Sequence, residues 1–144
     1  MNIVRFCPEH LDLIDLQDAQ GHMSAEIAQP GRAARLAQGG QAFTGIDGGE
    51  VVVIGGVLEQ GRGRGVAWAL LSRQAGRHMV AIHRAVRGYM LQSPLPRIEA
   101  FVDADFAAGV RWMTALGFVN ETPTGPMRKY TPDGRDCYLF ARIK

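Results

Sequence analysis

Arg73, Gly76, Arg77 and His78 stand together in the run Ser72-Arg73-Gln74-Ala75-Gly76-Arg77-His78. Ahead of it lies the apolar run Val66-Ala67-Trp68-Ala69-Leu70-Leu71, and behind it a periodic segment ends near Gln92. The pattern is a buried strand, a basic loop containing a glycine, and a helix whose first turn faces the loop. Backbone N–H groups at a helix start lack partners within the helix and carry a partial positive charge. Arginine and glycine at such a junction suit a phosphate group. The other reactive types are carboxylates. Glu99 falls in the middle of an alternating segment and Asp103 at its end, and either could serve as a general base. Glu99 suits a solvated strand carboxylate equally well, and Asp103 a helix cap.

These residues need a frame to hold them. The chain has 144 residues, 47% of them apolar and 21% charged, enough for one globular domain spanning 1–144 with a substantial core. A net charge of +2 is too small to argue for nucleic acid or a membrane surface as partner. Cys7 and Cys137 have neither disulfide-scaffold nor metal-site spacing and read as reduced thiols. No signal peptide and no apolar run near the ~20 residues of a membrane span is visible, so a cytoplasmic protein is expected.

In chain order, Asn2 to Phe6 suits a first strand and Pro8 the start of a helix over Glu9–Ala19. In that helix Leu11, Ile14 and Leu16 face one side, while Asp12, Asp15 and Asp18 face the other. Ser24 is expected to cap a second helix, interrupted at Pro30-Gly31, and Gly39-Gly40 ends the helical region. Ala42–Ile46 and Glu50–Leu58 flank Asp47-Gly48-Gly49 as a hairpin. The Gly61-Arg62-Gly63-Arg64-Gly65 segment reads as a hairpin tip rather than an RNA-binding tract. A helix is expected over Met79–Leu91, with Met79, Ile82, Val86 and Met90 as its apolar stripe and Ala81, Ala85 and Gly88 as a small face for close packing. A strand over Arg97–Val102 follows, then a helix capped by Asp103 or Asp105 and closed by Leu116-Gly117-Phe118. A last hairpin joins Met127–Thr131 to Cys137–Ile143. The fold class is α+β: a mixed, mostly antiparallel sheet of about seven strands, helices on both faces, and one parallel strand–helix–strand crossover.

This order resembles the GNAT (GCN5-related N-acetyltransferase) superfamily over nearly the whole chain. That family's cofactor loop reads Gln/Arg-x-x-Gly-x-Gly/Ala. Arg73 and Gly76 match its first residue and middle glycine, and His78 replaces the last small residue. Phe106–Phe118 resembles the family helix that ends in Gly-Phe, with Met113 where many members carry a tyrosine that protonates the departing thiolate. A methionine has no proton to give. The degenerate loop and the tail Tyr130–Asp136 also resemble GNAT-like proteins of tailed bacteriophages and prophages, for which the host cytoplasm would be the setting.

The resemblance implies an acetyl-CoA (or CoA) site on Leu70, Leu71, Ser72, Arg73, Gly76, Arg77, His78 and Met79. The N–H groups of Gly76 to Met79 would cradle the pyrophosphate and Arg73 or Arg77 would add a charged contact. Acetyl transfer to a primary amine, on a small molecule or a protein, also needs a base and an acid. Glu99 or Asp103 would be the base, and Ser72, Tyr130 and Tyr138 are the hydroxyl candidates for the acid. The first helices would border the acceptor, so their aspartates would favour a basic amine. A homodimer is compatible with this reading, and no metal is implied. The alternative is a catalytically degenerate GNAT-fold structural or interaction protein.

Overall fold

The Asp-Gly signal at Asp47-Gly48 marks a tight turn. In the computed structural model, which describes all 144 residues, Gly48 and Gly49 alone join β2 (Ala42–Asp47) to β3 (Glu50–Gly61). Their φ angles are 56° and 80°, the positive-φ pair of a type I′ turn, whose twist matches the flanking strands. The chain divides into two compact units, Met1–Glu59 with Trp68–Gln92, and Gln60–Ala67 with Ser93–Lys144. No linker announces this division in the sequence.

In the first unit, β1 (Asn2–Arg5) pairs antiparallel with β2, Asn2 opposite Ile46 and Arg5 opposite Phe43. Three short helices, α1 (His10–Leu13), α2 (Ser24–Ile27) and α3 (Arg32–Gln38), separate them in sequence. Phe6, Leu36, Val51, Ile54, Leu58 and Leu70 form one buried cluster. Trp68 packs on it, edge to face with Phe6 at 5.8 Å between ring centroids. Each such buried aliphatic contributes about 1.5–3 kcal/mol. The chain then runs from β4 (Arg64–Leu71) through a 3-10 turn (Ala75–His78) into α4 (Met79–Gln92). Ile82 and Met90 of the expected stripe are buried. The expected small-residue face is not a packing face: Ala81 is exposed, and a Cβ on Gly88 would meet nothing within 4 Å.

In the second unit, β5 (Arg97–Asp103) pairs antiparallel along its whole length with β7 (Cys137–Ile143). β7 also pairs with the two-residue β6 (Val119–Asn120). β4 and β5 are parallel, with Arg64 opposite Arg97 and Val66 opposite Glu99. Between β5 and β6 lies α5 (Ala107–Ala115). It ends as expected: Gly117 N–H donates to Thr114 O and Phe118 N–H to Met113 O, the paired bonds of a Schellman stop. The hydrogen-bonded order β1-β2-β3-β4-β5-β7-β6 gives the mixed, mostly antiparallel seven-stranded sheet expected from the sequence.

Several expected elements differ. The helix over Glu9–Ala19 is not formed. Its four-residue core, α1, gives way to extended backbone at Ile14, a β-bridge at Leu16, and a 3-10 stretch over Asp18–Met23. Ser24 is the first residue of α2 and makes no cap. Nor does Asp103 or Asp105 cap α5, whose N-cap position is Phe106; the Asp103 carboxylate instead accepts the Asp105 N–H at 2.9 Å. The strand expected over Met127–Thr131 is reduced to one bridge, Met127 to Cys137. Beyond it the Asp136 carboxylate accepts the Lys129 N–H and the Thr131 hydroxyl accepts the Arg135 N–H, local bonds that compete with a ladder. β6 takes the place beside β7 instead.

Candidate functional site

The loop after β4 is built by Ser72. Its N–H donates to Val52 O at 2.9 Å, which holds the strand end against β3. Its buried hydroxyl accepts the Gln74 N–H at 3.1 Å and its carbonyl the Ala75 N–H at 3.0 Å. That bond uses one lone pair of the hydroxyl and not its O–H. Successive residues of a strand point their backbone groups to opposite sides. Since Ser72 N–H points to β3, those of Leu71 and Ala69 point to the other side of β4, where pairing with β5 covers only Arg64–Val66.

That free edge is taken by the segment the sequence assigned to a helix. Gln17 N–H donates to Leu71 O at 3.0 Å, and Arg73 N–H to Asp15 O at 2.9 Å, the two bonds of an antiparallel bridge between Leu16 and Ser72. The Gln20 carboxamide accepts the Leu71 N–H at 2.8 Å and donates to Ala69 O at 2.9 Å. Gln20 is buried, and Gln17 Nε2 steadies its oxygen at 3.1 Å. Arg73 closes the arrangement: Nη1 meets Asp18 at 2.5 Å and Nε meets Asp15 at 3.2 Å. Asp18 first and Asp15 second hold the Arg73 proton more tightly than usual. Residues 15–20 thus form a strap along the β4 edge. Beside it lies an open cleft of about 630 Å³ whose lining includes Glu9, Asp12, Asp15, Leu16, Ile27 and Arg73.

The remaining loop residues are spread out. Leu70 and Leu71 are buried at the strand end. Gly76 is exposed, with no atom within 4 Å of an added Cβ. Arg77 reaches back to Gln74 Oε1 at 2.5 Å, and His78 Nε2 lies 3.7 Å from Asp47. Met79 N–H is spent on Gly76 O inside the turn. The N–H groups of Arg73 and Gln74 ahead of the turn, and of Ala75 at its start, are bonded to Asp15 O, Ser72 Oγ and Ser72 O.

In the second unit, Glu99 is buried and accepts from Arg64 Nε and Arg97 Nε, each at 2.8 Å. Burial alone would raise this carboxyl, but the hydrogen bonds from Arg97 and Arg64 outweigh it and hold it below the ordinary carboxylate range. A carboxylate so held is a poor proton acceptor at neutral pH. Arg97 extends the chain of charges to Glu121 at 2.5 Å. Asp103 pairs with Arg135 Nη1 at 2.6 Å. Tyr130 is exposed and stacks on Phe101 at 5.2 Å, and Tyr138 packs edge-on to Phe140. Met113 is half-buried in α5.

An acyl-CoA seat on β4 and its loop would need free edge groups at Ala69 and Leu71, free N–H groups in the loop, and an uncommitted Arg73. In this conformation the Ala69 and Leu71 edge groups, the Arg73 guanidinium and the N–H groups of Arg73, Gln74, Ala75 and Met79 are taken by residues 15–20 and by the turn itself, so the seat does not fit the cofactor as it stands. Sequence reasoning missed Gln17 and Gln20. Nothing local marks them, because their partners are about fifty residues away. No group of three His, Cys, Asp or Glu is placed to hold a metal ion, and no helix is long and apolar enough to cross a membrane.

No family model matches the sequence, nor does any curated protein sequence. Solved structures do match. Ribosomal-protein-S18-alanine N-acetyltransferase from Escherichia coli superposes with a TM-score of 0.70 at 17% identity, covering 99% of this chain and 92% of that one. The chain has the GNAT fold. An acetyltransferase of the GNAT family from Streptococcus pneumoniae matches at 0.64 and 14% identity, over 99% of each chain. A mutant spermidine N-acetyltransferase from Vibrio cholerae matches at 0.66 and 13% identity, over 99% of this chain and 95% of that one. These likenesses describe the fold.

Proposed function

We propose that this GNAT-fold protein is an acyl-CoA-dependent N-acetyltransferase acting on a primary amine. The observation that carries the reading is the β4 edge: strand pairing with β5 covers only Arg64–Val66, so Ala69 and Leu71 turn backbone groups toward a side with no regular strand. With residues 15–20 moved off it, such an edge can pair with an extended, amide-bearing ligand. Arg73 stands at its end as the cation for a phosphate. The acceptor reading rests on the cleft beside it, where Glu9, Asp12 and Asp15 favour a cationic amine. Spermidine, named for one of the structural relatives, belongs to that chemical class. Neither Glu99 nor Asp103 stands free to serve as base, and no step is assigned to them.

A second reading is a catalytically degenerate structural or interaction protein, phage-encoded as the tail sequence suggests. It is favoured by Met113 in place of the proton-donating tyrosine, and by Arg73 being engaged with two carboxylates. A thermal-shift titration with acetyl-CoA separates the two. At ~100-fold excess over the dissociation constant a ligand stabilises the folded state by about 2.7 kcal/mol. The enzyme reading expects that rise, and an unchanged melting temperature at millimolar acetyl-CoA would leave only the second.

A further inference from the structure

We infer that residues 15–20 are a built-in occupant of the ligand edge of β4, so that an extended, amide-bearing anion binds only when this strap is released. The inference rests on the acyl-CoA reading above and adds the regulation of that same surface. Three observations point the same way. The Gln20 side chain presents an amide to Ala69 O and Leu71 N–H, the donor–acceptor pair that a ligand amide would need. Gln17 and Asp15 add backbone bonds on either side, to Leu71 O and to the Arg73 N–H. Asp15 and Asp18 then set two carboxylates on the Arg73 guanidinium, where a diphosphate would sit. The strap is thus matched to its surface in amide chemistry and in charge.

It is also lightly held. α1 is one turn long, and Asp15 and Asp18 are exposed. Of residues 15–20 only Gln20 is buried, which places the segment toward the low-stability end of a fold. Closing a site in this way multiplies its apparent affinity by the fraction of molecules with the strap released, which raises the dissociation constant by the inverse of that fraction.

The experiment measures acetyl-CoA dissociation constants by calorimetry on the full chain. It compares the unaltered protein, Gln20→Ala, and the double variant Asp15→Asn/Asp18→Asn, whose exposed sites keep the fold intact should Gln20→Ala fail to fold. The inference expects about tenfold or greater tightening in each folded variant. Unchanged affinity in the variants, beside clear binding by the unaltered protein, overturns the strap and leaves the acyl-CoA reading standing. No binding to any of the three at millimolar acetyl-CoA overturns the acyl-CoA reading and the strap with it.

Discussion

Glu99→Gln is expected to lower stability by about 2–3 kcal/mol, or roughly 5–10 °C in melting temperature. Breaking a buried ion pair costs more when both partners are enclosed. Here Arg64 and Arg97 reach solvent, which sets the effect toward the lower end. Glutamine keeps the shape and one acceptor but leaves two guanidinium groups facing a neutral side chain. The same interaction has a pH signature. The folded-state pKa of Glu99 is depressed, so its stabilisation is complete above the ordinary carboxylate range and is lost as pH falls through the lower, folded value. Thermal melts from pH 7 to pH 3 should therefore show a shallower acid limb in Glu99→Gln. If the variant melts like the unaltered protein yet loses acetyl transfer, Glu99 is a catalytic base and not a structural strut.

Gly40→Ala is expected to be more severe, at about 3 kcal/mol or more. A Cβ there would lie 1.9 Å from the carbonyl oxygen of Val57 and 3.0 Å from its carbon. The obstacle is backbone held on both sides, by Val57 N–H to Gln41 O at 3.0 Å and Glu59 N–H to Gly39 O at 2.8 Å. No side chain can rotate away to make room. Soluble yield and melting temperature of the variant check this, and a melting temperature within about 2 °C of the unaltered protein would contradict it.

Gly40 also illustrates what the sequence could convey. Gly39-Gly40 is legible as a helix stop, while its close approach to β3 is a tertiary fact with no local mark. The sheet was legible because alternation, Asp47-Gly48 and the Leu116-Gly117-Phe118 stop act within a few residues. The segment from Glu9 to Ala19 was misread for the opposite reason. Its apolar spacing is helical, yet the unpaired edge of β4 offered its backbone better partners, and Leu16 became strand-like. For the site, the strand–loop–helix framework around Arg73 could be read locally. Its occupancy by Asp15, Asp18 and Gln20 could not, since those partners lie 49 to 58 positions away. Glu99 stood out as a carboxylate in a strand with Arg97 two residues before it on the same face, but the second arginine that neutralises it, Arg64, meets it only through strand register.

Residue-resolved amide exchange at Leu71 tests most directly whether the strap lies on β4. Its N–H is bonded only to the Gln20 side chain, whereas the next amide, Ser72, is bonded to Val52 O and serves as an internal control. The Leu71 amide should be protected in the unaltered protein and exchange at least about tenfold faster in Gln20→Ala, with Ser72 unchanged. A Leu71 amide that already exchanges freely in the unaltered protein, or one equally protected in Gln20→Ala, would contradict the account.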